Sequence, residues 1–163
     1  LQTITDRFSK IGSEPVLEKR DIVEDTHKTV DYLQTRVSQQ VSFSFKAPEH
    51  PIYVDINPAL HSWTIENLVK NAIDAMKGKG SLNIVISELE DIVKISITDT
   101  GKGIPKNQFT KVFEPGFTTK KRGWGLGLSL TKRIVQEYHK GKIKVAHSEI
   151  GKGTTMQISY KTA

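Results

Sequence analysis

The residues with most to offer chemically lie between Asn57 and Lys77. Asn57 is a helix-capping residue and Pro58 stands at a first helical position, so a helix starts there. At 100° per residue, Ile65, Leu68, Val69, Ala72, Ala75 and Met76 share one side. Glu66, Asn67, Lys70, Asn71 and Asp74 fall within about 140° on the other. A polar stripe is ordinarily a solvated face. Two asparagines on it change the odds, because each costs about 0.5 kcal/mol against alanine in a helix. Asn67 and Asn71 stand one turn apart, so their carboxamides are neighbours. Paired neutral oxygens beside Lys70 can hold Mg²⁺ and triphosphate oxygens together.

Two further segments carry chemistry. Asp99-Thr-Gly-Lys-Gly-Ile-Pro105 follows an alternating apolar run and so ends a strand. Its glycines permit a close backbone approach, and its carboxylate can accept from an exocyclic amine. Gly123-Trp-Gly-Leu-Gly-Leu128 leads into a helix, where glycines bare consecutive amide N–H groups toward an anion. It follows Phe117-Thr-Thr-Lys-Lys-Arg122, which brings hydroxyls and cations to the same place. The P-loop pattern is absent, since each Gly-Lys pair is followed by Gly or Ile, and so are the protein-kinase signatures.

These segments need elements to position them. An amphipathic helix is expected from Lys19 to Val37, a strand at Val41–Lys46, and a short partner strand at Ile52–Val54. The Pro58 helix should run to about Lys77. Alternating strands follow around Leu82–Ile86 and Val93–Ile97, turning at Glu90-Asp91. A glycine-rich loop covers Asp99 to Gly125, and such loops are usually lids or binding loops. A helix at Leu126–His139 and strands at Lys142–His147 and Thr154–Lys161 complete the order. The fold class is α/β: a two-layer sandwich of a mixed or antiparallel sheet covered by helices.

Composition limits the alternatives. The chain has 163 residues, no cysteine and a formal charge of +6. Disulfides and thiolate metal sites are excluded, and no apolar run approaches the roughly 18 residues of a membrane span. No basic-then-apolar stretch opens the chain, and a cytoplasmic location is expected. The lysines are scattered and few aromatics lie among them, so nucleic acid is not expected as a partner.

Five segments in order carry a resemblance. They are Glu66-Asn-Leu-Val-Lys-Asn-Ala-Ile-Asp-Ala75, Asp99 to Pro105, Val112-Phe-Glu-Pro-Gly-Phe-Thr-Thr-Lys120, Gly123 to Leu128, and Gly151-Lys-Gly-Thr154. Together they resemble the N, G1, F, G2 and G3 boxes of the catalytic domain of bacterial sensor histidine kinases. That domain is part of the superfamily that includes gyrase and Hsp90. The similarity covers roughly residues 14 to 161, and Phe-Thr-Thr-Lys is most similar to the nitrogen-regulatory type. The resemblance implies a Bergerat-type ATP-binding fold of about five strands and three helices, binding ATP or ADP with Mg²⁺. It implies that Asn71 ligates Mg²⁺, with Asn67 and Lys70 near the phosphates and Asp74 also at the nucleotide. Asp99 accepts from the adenine amine, Gly101, Gly103 and Ile104 shape its slot, and Thr154 joins its water network. Gly125, Leu126, Gly127 and Leu128 offer backbone amides to the phosphates. Thr118, Thr119 and Lys120 sit on a lid near the γ-phosphate, Lys120 joining Asn67, Lys70 and Asn71 as a catalytic residue. Gly116, where the subtype usually has Phe, and Trp124 between the glycines depart from the pattern.

One position separates branches of the superfamily. Where gyrase and Hsp90 carry a water-activating Glu, one turn before the metal asparagine, this chain has Asn67. An amide is no general base, so transfer to a histidine is implied rather than rapid hydrolysis. His27, His50, His61, His139 and His147 lie in no acceptor box, and structural or surface roles are expected for all five. The acceptor is expected on an upstream dimerisation hairpin, whose last helix would end in residues 1–12, with the catalytic domain at 13–163. The implied partners are that hairpin and a response-regulator receiver domain. The parent is expected to be a homodimer and this fragment a monomer.

Overall fold

The structure is a computed structural model and describes residues 15–117 and 127–163. The tail expected at residues 1–12 therefore lies outside the described residues, as do Thr118, Thr119, Lys120, Trp124, Gly125 and Leu126.

The first element among the described residues is β1 (Glu18–Asp21), which passes directly into α1 (Ile22–Gln34). The helix starts three residues later than its apolar spacing suggested, and the reason is Asp21. Its carboxylate accepts from the amide of Val23 at 3.1 Å and from that of Ile52 at 3.2 Å. It thus caps the helix and ties it to the next layer, and such a cap is worth about 1 kcal/mol. The strand β2 (Val41–Lys46) follows, then β3 (Tyr53–Ile56), which pairs with β1 and not with β2.

Asn57 caps α2 (Pro58–Ala75) as expected, accepting from Leu60 N at 3.1 Å. The hairpin β4 (Gly80–Leu89) and β5 (Ile92–Asp99) is longer at both ends than the apolar alternation alone marked. The next described α-helix is α3 (Gly127–Arg133), which widens into a π turn over Ile134–Tyr138. There His139 N bonds Ile134 O at 2.9 Å and Gly141 N bonds Val135 O at 2.7 Å. The wide turn lets Ile134 and Val135 both be fully buried. The antiparallel pair β6 (Lys142–Glu149) and β7 (Gly153–Lys161) ends the chain.

The main sheet has the order β2-β4-β5-β7-β6, parallel only between β2 and β4. The mixed five-stranded sheet under helices is therefore present, with a small β1–β3 sheet beside it. Its inward residues, among them Leu82, Ile84, Ile95, Ile97 and Ile158, meet Ile65, Leu68, Val69 and Ala72 of α2. Each of these leucine, isoleucine and valine side chains contributes about 1.5–3 kcal/mol by leaving water. Thr64 and His61 also lie on the buried side of α2.

Candidate functional site

Asp99 is the last residue of β5 and only 6 % exposed. It faces inward because it continues the alternation of Val93, Ile95 and Ile97. Its Oδ1 accepts from Gly101 N at 2.8 Å, and the Thr154 amide also bonds its carboxylate. Burial pushes the Asp99 carboxyl above its ordinary range, and those two amides hold it partly back. A desolvated acceptor with spare lone pairs suits an exocyclic amine.

The loop after Asp99 is fixed from both sides. Gly101 lies against the backbone of Ala75, where a Cβ would come within 2.6 Å of its carbonyl carbon. Lys102 N bonds Ala75 O at 3.1 Å, so the loop closes on the end of α2. Gly103 has φ +81°, and a methyl there would meet the Glu149 carbonyl. Ile104 N bonds Ser148 Oγ at 2.7 Å. The same hydroxyl donates to Gly153 O at 3.0 Å and lies 2.8 Å from Thr154 Oγ1. Gly101, Gly103, Ile104 and Thr154 are thus gathered beside Asp99, and Ser148 is the knot.

Sequence reasoning missed Ser148 for a physical reason. Ile143 and Val145 set a two-residue period that points position 148 outward. The β6–β7 register shifts between Val145 and His147, and the shift turns Ser148 inward opposite Thr154.

The asparagines lie farther along α2. Asn67 Nδ2 donates to Thr131 Oγ1 at 2.8 Å, and Thr131 Oγ1 in turn donates to Gly127 O at 2.7 Å. Thr131 is fully buried. Gly127 packs so closely on Asn67 that a Cβ there would lie 3.1 Å from Oδ1. The start of α3, with Gly127 and Leu128, is therefore brought to Asn67. Thr131 was not singled out from sequence, although a threonine among Leu128, Leu130, Ile134 and Val135 was a readable sign. Asn71 is half-buried one turn on, and Asp74 is exposed. Lys70 is exposed and pairs with Glu66 at 3.0 Å. Val112 and Phe113 are buried and Phe117 packs on the core, anchoring the segment before the residues that are not described.

The donor set suits a hard cation shared with a ligand. Among the described residues no three acidic or histidine groups converge to cage a metal. Amide oxygens on one helix face can supply one or two ligands and leave the rest to phosphate and water, as Mg²⁺ prefers.

Residues 59–163 match the family described as histidine kinase-, DNA gyrase B- and HSP90-like ATPase. The chain is 39% identical over 121 residues to the sensor histidine kinase ZraS of Escherichia coli (strain K12), covering 74% of this chain and 26% of that protein. It is 43% identical over 95 residues to sporulation kinase A of Bacillus subtilis (strain 168), covering 58% of this chain and 15% of that protein. The chain thus spans about a quarter or less of these relatives. Among solved structures, the catalytic domain of histidine kinase ThkA superposes with a TM-score of 0.79 at 25% identity, covering 89% of this chain and 95% of that one.

Proposed function

This chain belongs to the histidine kinase-, DNA gyrase B- and HSP90-like ATPase family as a catalytic, ATP-binding domain of the sensor-kinase type, and from that premise we propose how it acts. Its role is to transfer the γ-phosphoryl group of ATP to a histidine on an upstream hairpin. The bond from the γ-phosphorus to the β–γ bridging oxygen breaks, a phosphorus–nitrogen bond forms, ADP leaves and the imidazole N–H proton is released. From the phosphohistidine the group passes to an aspartate of a receiver domain.

The observation that carries this reading is the pairing of Asn67 with the head of α3 through Thr131. That pairing supports a phosphate site between α2 and α3, with Asp99 as the adenine acceptor at the sheet end. Gly127 and Leu128 offer amides there, joined by Gly125 and Leu126. Asn71, with Asn67 beside it, would hold Mg²⁺, which when bound neutralises phosphate charge and fixes the phosphate geometry. Lys70, Lys120, Thr118 and Thr119 would add cations and hydroxyls, and Asp74 would close the polar stripe. Phosphoryl transfer of this kind rests on positioning and charge neutralisation.

Hydrolysis is the weaker reading. The Asn67 amide cannot take a proton from water, and the Glu66 carboxylate is ion-paired to Lys70. Two of the chain's five histidines are closed to a phosphoryl group by burial. His61 and His139 are buried at 0 % and 5 % exposure. His27 stacks on Phe45, and His50 is bonded to Glu88 at 2.9 Å.

The test supplies a dimerisation hairpin from a related kinase and γ-labelled ATP with Mg²⁺. Acid-labile, base-stable label should appear on the hairpin. Asn71→Ala should abolish it while leaving adenosine binding within about twofold. Transfer by that variant at the parent rate would overturn the assignment.

A further inference from the structure

Among the described residues the main sheet has helices on one face only. Strand alternation and register fix what stands on the other, and five lysines do: Lys46 on β2, Lys94 on β5, Lys142 and Lys144 on β6, and Lys161 on β7. Lys94, Ser159 and Lys142 form one cross-strand row, which sets the two lysines two strands apart, about 10 Å. Among the described residues none of the five is ion-paired. The positions between them are mainly serine, threonine, asparagine and glutamine. The acids at the margin are Glu149, which is 3.6 Å from Lys152, and Glu90 and Asp91 in the β4–β5 turn.

Beside Lys161 and Lys94 the same face carries an apolar pair. Leu89 and Ile92 are register partners across the hairpin and are 71% and 38% exposed. Ile92 is also paired with Lys161 across the strands. A basic sheet face thus ends in two large aliphatic side chains that nothing within the described residues covers.

We propose that this face docks the domain on an anionic lipid bilayer, the lysine ammonium groups at the headgroup phosphates and Leu89 and Ile92 at the acyl boundary. Charge and composition favour a bilayer over the other acidic partners. Single-stranded nucleic acid would want aromatic platforms, and the strand positions of this face hold none. Protein interfaces are depleted in lysine and serine, which dominate here. A fluid layer of anionic headgroups needs no such anchors, and each lysine adds to the attraction independently. Asp99 and Thr154 point to the other side of the sheet, so docking leaves the nucleotide site open.

The test is sedimentation of the chain with vesicles of phosphatidylcholine alone or mixed with phosphatidylglycerol, at about 0.1 M salt. Nucleotide plays no part in it, so its failure would leave the kinase reading standing. The chain should sediment only with the mixed vesicles. The triple variant K94E/K142E/K144E should partition at least a hundredfold less. Unchanged ATP affinity and melting temperature would show that variant to be folded. Leu89→Ser with Ile92→Ser should weaken partitioning about tenfold. Equal sedimentation with both vesicles, no sedimentation with either, or an unaffected triple variant would overturn the proposal. Binding to polyglutamate but not to vesicles would also overturn it and give the face to an acidic polypeptide.

Discussion

The buried histidines set an acid limit on the whole domain. His61 sits on α2 with Nε2 2.7 Å from Thr26 Oγ1, and its Nδ1 has no partner among the described residues. His139 accepts through Nε2 from Asn57 N at 3.1 Å, the amide of the residue that caps α2. Burial, helped by the proximity of His139, pushes His61 down to about 3. Burial alone lowers His139 to about 4. Both are therefore neutral when folded and titrate near 6.5 when unfolded. As pH falls below 6.5, the unfolded chain binds protons that the folded chain refuses, and stability is lost progressively until the folded values are reached. Each histidine costs about 1.4 kcal/mol per pH unit, so by about pH 4.5 the pair removes on the order of 5 kcal/mol. That matches the lower end of a domain's total stability, about 5–15 kcal/mol. The raised carboxyl of Asp99 acts oppositely, gaining stability as pH falls through its folded value, but it is one group against two. Urea melts followed by tryptophan fluorescence at pH values from about 7 to 4.5 measure the slope. In the His61→Gln, His139→Gln double variant the slope should flatten to that of the carboxylates. A loss under about 1 kcal/mol across that range, or an equal loss in the double variant, would refute the reasoning.

Three other outcomes follow from the site. Asp99→Asn should weaken ATP by about 10- to 150-fold, the loss of a charge-assisted bond of about 1.5–3 kcal/mol, by calorimetry. It should also flatten the fall of stability with rising pH that a raised carboxyl imposes, because the amide does not ionise. Thr131→Val keeps the shape but removes the partner of Asn67, so urea melts should show a loss of about 1 kcal/mol, and ATP should bind several-fold more weakly, with rescue by Thr131→Ser. Gly153→Ala adds a methyl against the Asp99 carbonyl at φ +134°, and the melting temperature should drop by several degrees, about 2–4 °C for each kcal/mol of strain.

Much of this was legible in sequence because it rests on local rules. Asn57-Pro58 announced α2, and the alternation of Leu82–Ile86 and Val93–Ile97 announced the central hairpin. What failed to show depended on tertiary contacts. β1 is four polar residues, Glu18 to Asp21, with no apolar alternation, and it is a strand because β3 pairs with it. The apolar face of α1 fitted a start at Lys19, and the Asp21 cap that delays it is set by contacts with Val23 and Ile52. The π turn was illegible because 3.6-residue periodicity continues through Ile134 and Val135. Ser148 was hidden by a bulge, and Thr131 by being one hydroxyl in an apolar stripe.

The candidate site owes its geometry to two contacts of α2, two turns apart, each with a different element. Ala75 lies against Gly101 and accepts from Lys102, which sets the helix end at the loop that follows Asp99. Two turns earlier Asn67 is bonded to Thr131 and packed on Gly127, which sets it at the start of α3. Asn71 lies midway. Eight residues of helix separate the two contacts, about 12 Å. On the proposed reading the adenine rests at the first contact and the terminal phosphates at the second. Asn71, between the two, would hold the metal through its amide oxygen. The two ends differ in how they are held. Ser148 and the β5–β7 register bind the Asp99 end into the sheet, whereas among the described residues the Asn67 end is held to α3 by its bond to Thr131 and its packing on Gly127. Movement of α3 would therefore alter phosphate contacts while leaving the adenine slot intact. Thr131→Val should for that reason weaken ATP more than adenosine, and equal losses for the two ligands would show that the ends are one rigid unit.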